Sequence, residues 1–270
     1  MIRNTFLIAS LASLVFVGDC FGIEPVQPVK VYWDISHGVI DNYQPSGRYG
    51  VLVDHLAPQG FQFIEGNVPL DVADLSSFDV LVLANGSYHY LFPTPAELAA
   101  VESFLLNGGG LLVLADVAGS GGNPKIQQFA NLFGAQVGVT PFPGFDVYST
   151  SVGSHPAVKD VDQIYIRFSN SILPGSLTAY AFYDTLPMLA AGDFGGGRVV
   201  LIADGDLFTY PPIGLPRYFD LADNRQLAES VFRYLAVPEP TTWLLGLFAY
   251  VALALQRLVA RKRGSPIRQT

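Results

Sequence analysis

Residues 79–84 read DVLVLA, an unbroken run of leucine and β-branched side chains with no polar alternation. Such a run suits a strand covered on both faces, and that implies a parallel sheet between layers of helices. The flanking sequence fits. Val29 to Trp33 is an apolar run ending in Asp34, and Tyr49 to Leu56 has helical apolar spacing before Pro58-Gln59-Gly60. Phe61 to Ile64 reads as a second strand. Thr94, Pro95 and Glu97 form an N-cap, a first helical position and an N3 glutamate, predicting a helix to Leu106 that stops at Asn107-Gly108-Gly109. Leu111 to Ala115 is the next strand, and Asn123 caps a helix from Pro124 to near Gly134. This βαβα order predicts a doubly wound, mostly parallel, flavodoxin-like sheet with right-handed crossovers.

The second half is richer in strands. Gln163 to Phe168 and Leu177 to Tyr183 flank Pro174-Gly175, predicting a hairpin or a β-rich insertion. Met188 to Ala191 leads through Gly195-Gly196-Gly197 into the buried run Arg198 to Ala203, and Asp223 or Asn224 opens a last helix through Leu235. The glycine clusters lack both G-x-x-x-x-G-K-[ST] and a G-x-G-x-x-G after the first strand, so they read as tight turns rather than a phosphate cradle.

Hydrophobic segments bracket this α/β region. Arg3 followed by apolar residues Phe6 to Val17 has the form of a signal peptide, with cleavage expected before Ile23. The only cysteine, Cys20, would leave with it, so disulfides and thiolate chemistry are excluded from the mature chain. Of 15 basic residues, Arg3, Arg257, Arg261, Lys262, Arg263 and Arg268 lie in the terminal segments, as does Asp19 among 23 acidic ones. Residues 23–242 therefore carry 9 basic and 22 acidic side chains, a net of −13. That charge repels nucleic acid and suits solubility outside the cell.

At the other end, Pro238-Glu239-Pro240 precedes an apolar run from Trp243 to Leu255, extended by Leu258 to Ala260, and then the basic stop Arg261-Lys262-Arg263. Motif, apolar stretch and basic cluster together resemble the PEP-CTERM sorting signal of exopolysaccharide-forming Gram-negative bacteria. The resemblance implies export, processing by an exosortase, and delivery to the envelope or the medium. The expected divisions are a signal peptide (1–22), an α/β ectodomain (23–236), a linker with the motif (237–242), a transmembrane helix (243–260) and a basic cytoplasmic tail (261–270). The basic cluster orients the tail inward.

Several ectodomain segments, in order, resemble the class I glutamine-amidotransferase-like superfamily. They are Asp34-Ile35-Ser36-His37-Gly38, Phe78 to Leu83, Leu106 to Leu114, Gly197 to Asp204, and Asp223-Asn224. The closest resemblance is to its non-catalytic branch, which includes domains of intraflagellar transport proteins and accessory proteins of gliding-type ABC transporters. It covers most of residues 29–236, and Thr140 to Asp184 matches least. Catalytic members carry a cysteine nucleophile after the strand that is here Leu111 to Ala115. This chain has Asp116 near that place, and a carboxylate cannot supply thiolate attack.

In a parallel sheet, ligands collect beyond the carboxyl ends of the strands. The residues expected there are Asp34, Ser36 and His37; Asn85, Ser87 and His89; Asp116; and Asp204 with Asp206. Trp33, Tyr43, Tyr88 and Tyr90 lie beside them. Aromatic faces next to Asn, Asp and His suit carbohydrate, whose apolar faces stack on rings while its hydroxyls need donors and acceptors. The plainer roles are loop support for Asp34 and Asp204, a turn for His37 and a helix cap for Asp223-Asn224. Asp204-Gly205-Asp206 lacks the remaining ligands of a calcium loop, so neither metal nor cofactor is expected. The sequence thus points to a non-enzymatic binding domain with exosortase and the membrane as partners, and polysaccharide or envelope proteins as candidate ligands. Two other readings stay open. One is a hydrolase using groups such as Ser120, His37 and Asp34, and the other is an accessory subunit of an envelope transport complex.

Overall fold

The apolar runs form the centre of one sheet. The computed structural model describes residues 27–38, 42–84, 91–117, 123–210 and 217–236. Strands β1 (Val29–Asp34), β2 (Phe61–Gly66), β3 (Val80–Ala84), β4 (Gly110–Leu114) and β10 (Gly197–Ile202) are parallel in the order β2-β1-β3-β4-β10. This is the flavodoxin-type order with its switch point beside β1. Three further strands, β9 (Leu186–Phe194), β8 (Thr178–Tyr183) and β6 (Ser151–Val152), extend the sheet antiparallel beyond β10, giving eight strands in all. The fold is mixed α/β, as expected, but nearly half of the sheet is hairpin rather than crossover.

Of the hairpin or β-rich insertion expected around Pro174-Gly175, the hairpin is not formed, and the segment is β-rich. β7 (Tyr165–Arg167) pairs with β5 (Asp146–Tyr148) in a separate two-stranded ribbon, while β8 pairs with β9. Alternation reveals which face of a strand is apolar but not which strand lies beside it. The ribbon has an inward face of buried Val147 and Ile166, in register with each other.

Helices α1 (Gly50–Leu56), α2 (Pro95–Leu106), α3 (Asn123–Ala130) and α4 (Asn224–Ala236) flank the sheet. Two adjacent glycines show that α2 and α4 cover opposite faces. A Cβ on Gly109 would strike the Phe104 ring of α2, and one on Gly110 would lie 2.4 Å from the Leu235 carbonyl oxygen of α4. Successive residues of a strand point to opposite faces. On the α4 side, Trp33 packs on Tyr49 and Phe63, and Phe61 and Phe63 meet Phe232 edge-on. The capping box of α2 forms as expected, with Thr94 Oγ1 accepting from the Glu97 N–H and Glu97 Oε2 accepting from the Thr94 N–H.

The ends of the domain share one pole. β1 starts at Val29, and α4 ends at Ala236 beside Asp79 and Gly109 in a cleft of about 510 Å³ below the amino ends of β3 and β4. Among the described residues no helix is long and apolar enough to cross a membrane. The expected signal peptide, Pro238, Glu239 and Pro240, the apolar stretch and Arg261, Lys262 and Arg263 lie outside the described residues.

Candidate functional site

The carboxyl ends of β1, β4 and β10 bring six of the nine expected residues to one pole, in two groups. Asn85, Ser87 and His89 lie outside the described residues, as does Ser120.

The first group is built on β1. Asp34 points to the face opposite Trp33 and is buried. Its Oδ1 accepts from the Ser36 N–H at 3.0 Å and the Ser36 hydroxyl at 2.6 Å, closing a tight turn. Its Oδ2 lies 2.6 Å from His37 Nδ1. His37 Nε2 lies 3.2 Å from Glu97 Oε1, and the ring meets Phe129 of α3 edge-on. Burial opposes charge on the imidazole, yet the hydrogen bond and charge of Asp34, with Glu97 behind, hold its pKa above the ordinary value. Burial likewise opposes charge on Glu97, but the Thr94 and Leu70 N–H groups and His37 hold its pKa below the ordinary value. Burial lowers Lys125 to about 8, against the pull of Asp34. A carboxylate at each nitrogen favours the doubly donating cation and leaves both ring nitrogens engaged. The Ser36 hydroxyl is committed to Asp34. The group pins the end of β1 to the first turn of α2.

The second group joins β4 to β10. Asp204 is fully buried, and its two oxygens accept from the N–H groups of Asp206 (2.7 Å) and Arg167 (2.6 Å). Asp206 accepts from the Tyr43 hydroxyl, which also accepts from Arg48 Nη1 at 2.7 Å. The Tyr49 hydroxyl donates to the Gly205 carbonyl. Asp116 accepts from the Val117 N–H, and the Asn123 amide grips the main chain at Asp116 and Val117. Desolvation is the largest cause of each shift here. It drives Asp116 to about 7 with help from the Asp206 charge, and it raises Asp204 and Asp206 together. These carboxyls therefore hold protons to unusually high pH and can donate as well as accept hydrogen bonds. Among the described residues no group of three or more His, Cys, Asp or Glu side chains is placed to hold a metal ion.

Some residues that complete the site carry no motif. Arg167 comes from the ribbon, where its guanidinium donates to the Tyr218 hydroxyl and its main chain binds Asp204. Glu97 is legible as a helix cap, but not as the partner of a histidine sixty residues away. Asp223 and Asn224 also do more than start a helix. Asp223 accepts from the N–H groups of Asp162 and Gln163, and the fully buried Asn224 side chain binds the Tyr165, Leu207 and Tyr218 main chain. They fasten the ribbon to the sheet.

No family model matches the chain, and neither does any curated protein sequence. Solved structures do resemble it. The mmIFT52 N-terminal domain superposes with a TM-score of 0.63 at 14% identity, covering 77% of this chain and 98% of that one. The cytoplasmic protein STM1381 from Salmonella typhimurium LT2 gives 0.57 at 14% identity, covering 76% and 99%. A putative ThuA-like protein from Parabacteroides merdae gives 0.56 at 14% identity, covering 78% and 91%. At such identities the likeness is one of fold, and the fold of this chain is amidotransferase-like.

Proposed function

We propose that this protein is an exported, exosortase-sorted component of the cell envelope or extracellular matrix, whose amidotransferase-like domain, of the non-catalytic type, binds carbohydrate without transforming it. The observation that carries the reading is the pairing of His37. With Asp34 on one ring nitrogen and Glu97 on the other, the described pole holds no serine hydroxyl or thiol beside a free imidazole. What it offers instead is carboxyls, phenols and guanidinium groups, a donor and acceptor set suited to hydroxyl-rich ligands. The net charge of −13 on residues 23–242 agrees with a place outside the cytoplasm.

The test is to purify the full chain in detergent and measure binding to a panel of soluble neutral, amino-bearing and uronate polysaccharides by calorimetry, assaying each mixture for new reducing ends. Binding to at least one polymer with no new reducing ends is expected. Binding to none, or release of reducing ends, overturns the reading.

A further inference from the structure

The ribbon β5–β7 carries exposed aromatic rings that the fold does not need. Phe145 is 64% exposed and Phe168 50%, yet their rings lie nearly parallel, 14° apart with centroids at 5.0 Å. The main chain holds them together, with the Phe168 N–H donating to the Phe145 carbonyl at 2.7 Å. Phe168 has a φ of +47°, a left-handed conformation in which a bulky side chain is strained. Strain of this kind persists where the surroundings impose it, and it gathers at binding sites.

The same end of the ribbon carries a charged pair. Asp146, next to Phe145, stands opposite Arg167, next to Phe168, while Tyr148 stands opposite the buried Tyr165 at the other end. The Tyr165 hydroxyl donates to Asp146, and Arg167 Nε lies 3.8 Å from the same carboxylate. A stacked ring pair and a charged pair thus adjoin at one end of the ribbon. That surface is joined directly to the strand-end carboxyls through the Arg167 N–H on Asp204 and through Asn224 on the Tyr165 main chain.

We infer that Phe145 and Phe168 form the stacking platform of the strand-end site, and that its ligand is a polysaccharide of neutral or amino-bearing pyranose units. This rests on the carbohydrate reading above. Pyranose rings present C–H faces that cover exposed aromatic rings, and their hydroxyls meet the Asp146 and Arg167 groups alongside. The charge selects within the class. Asp146 is exposed beside the rings, Asp206 lies behind Arg167, and residues 23–242 carry a net of −13, so a polyuronate is repelled.

The experiment uses the full chain in detergent with three probes: soluble β-glucan, chitosan oligomers and polygalacturonate. Phe145→Ala with Phe168→Ala should weaken β-glucan or chitosan binding by roughly tenfold or more, while Phe145→Tyr with Phe168→Tyr retains it. Phe168→Gly separates ligand from fold. It relieves the left-handed strain, so thermal stability should hold or rise while affinity falls. Undiminished β-glucan or chitosan binding in the double alanine variant overturns this inference and leaves the carbohydrate reading standing. So does a dimer that the double variant dissociates without loss of sugar affinity, which would make the platform a contact between copies. Polygalacturonate bound as tightly as the other probes overturns the charge assignment, and binding of no probe by the wild type overturns the platform.

Discussion

At the scale of single residues, the candidate site stores protons. Asp116 has an ordinary carboxyl value of 3.8 when unfolded and about 7 in the fold, so between these limits the folded chain holds the extra proton. Stability therefore falls as pH rises through that window, because folding favours the protonated form. His37 acts in the same direction. Its raised value gives stability that is fully present below the unfolded value of about 6.5 and is lost as pH rises through the folded one. Asp116→Asn keeps an oxygen for the Val117 N–H and removes the buried charge. It should raise stability by on the order of 2 kcal/mol at pH 8 and change it little at pH 4. Urea unfolding of both proteins at the two pH values measures this, and equal differences at pH 4 and pH 8 would refute it. In sequence, Asp116 is visible as the residue standing near a missing cysteine. Its protonation is not, because that depends first on burial in the fold and then on the charge of Asp206, ninety residues later.

At the scale of elements, the sequence was most legible where one segment decides its own state. The apolar runs of β1, β3, β4 and β10, and the Thr94-Pro95-Glu97 cap of α2, are local facts and appear as expected within a residue or two. The partner of β7 is not a local fact. It follows from Asp223 and Asn224 gripping residues 162–165, which draws that strand away from β8. The glycine turns are similar. Gly108 and Gly195 have positive φ, as a turn reading requires, whereas Gly110 is constrained by what lies above it. Gly110→Ala sets a methyl 2.4 Å from the Leu235 carbonyl oxygen and 2.8 Å from its Cβ, so α4 must shift at a cost of roughly 2–4 kcal/mol. Gly144→Ala, whose nearest new contact is 3.8 Å, should fall within about 0.5 kcal/mol of wild type. Denaturant midpoints compare the two, and similar losses would show that the α4 contact is not close-packed.

At the scale of the whole molecule, the proposed sorting and recognition roles fall on different parts of the chain and can be tested separately. Replacing Pro238-Glu239-Pro240 with alanines should block processing while membrane insertion continues. Cell fractionation and the size of the released product measure it, and unchanged release would refute the sorting proposal. The same replacement should leave sugar binding by the purified protein untouched, since α4 ends at the pole away from Asp116 and Asp204. That separation of poles has a geometric consequence. Both exits of the described domain, at Val29 and Ala236, lie below the amino ends of the strands. A chain held by either terminus stands on that end and turns its carboxylates and rings outward. Under the proposed function, such a domain would meet a polymer in the surrounding medium while still fastened to a surface.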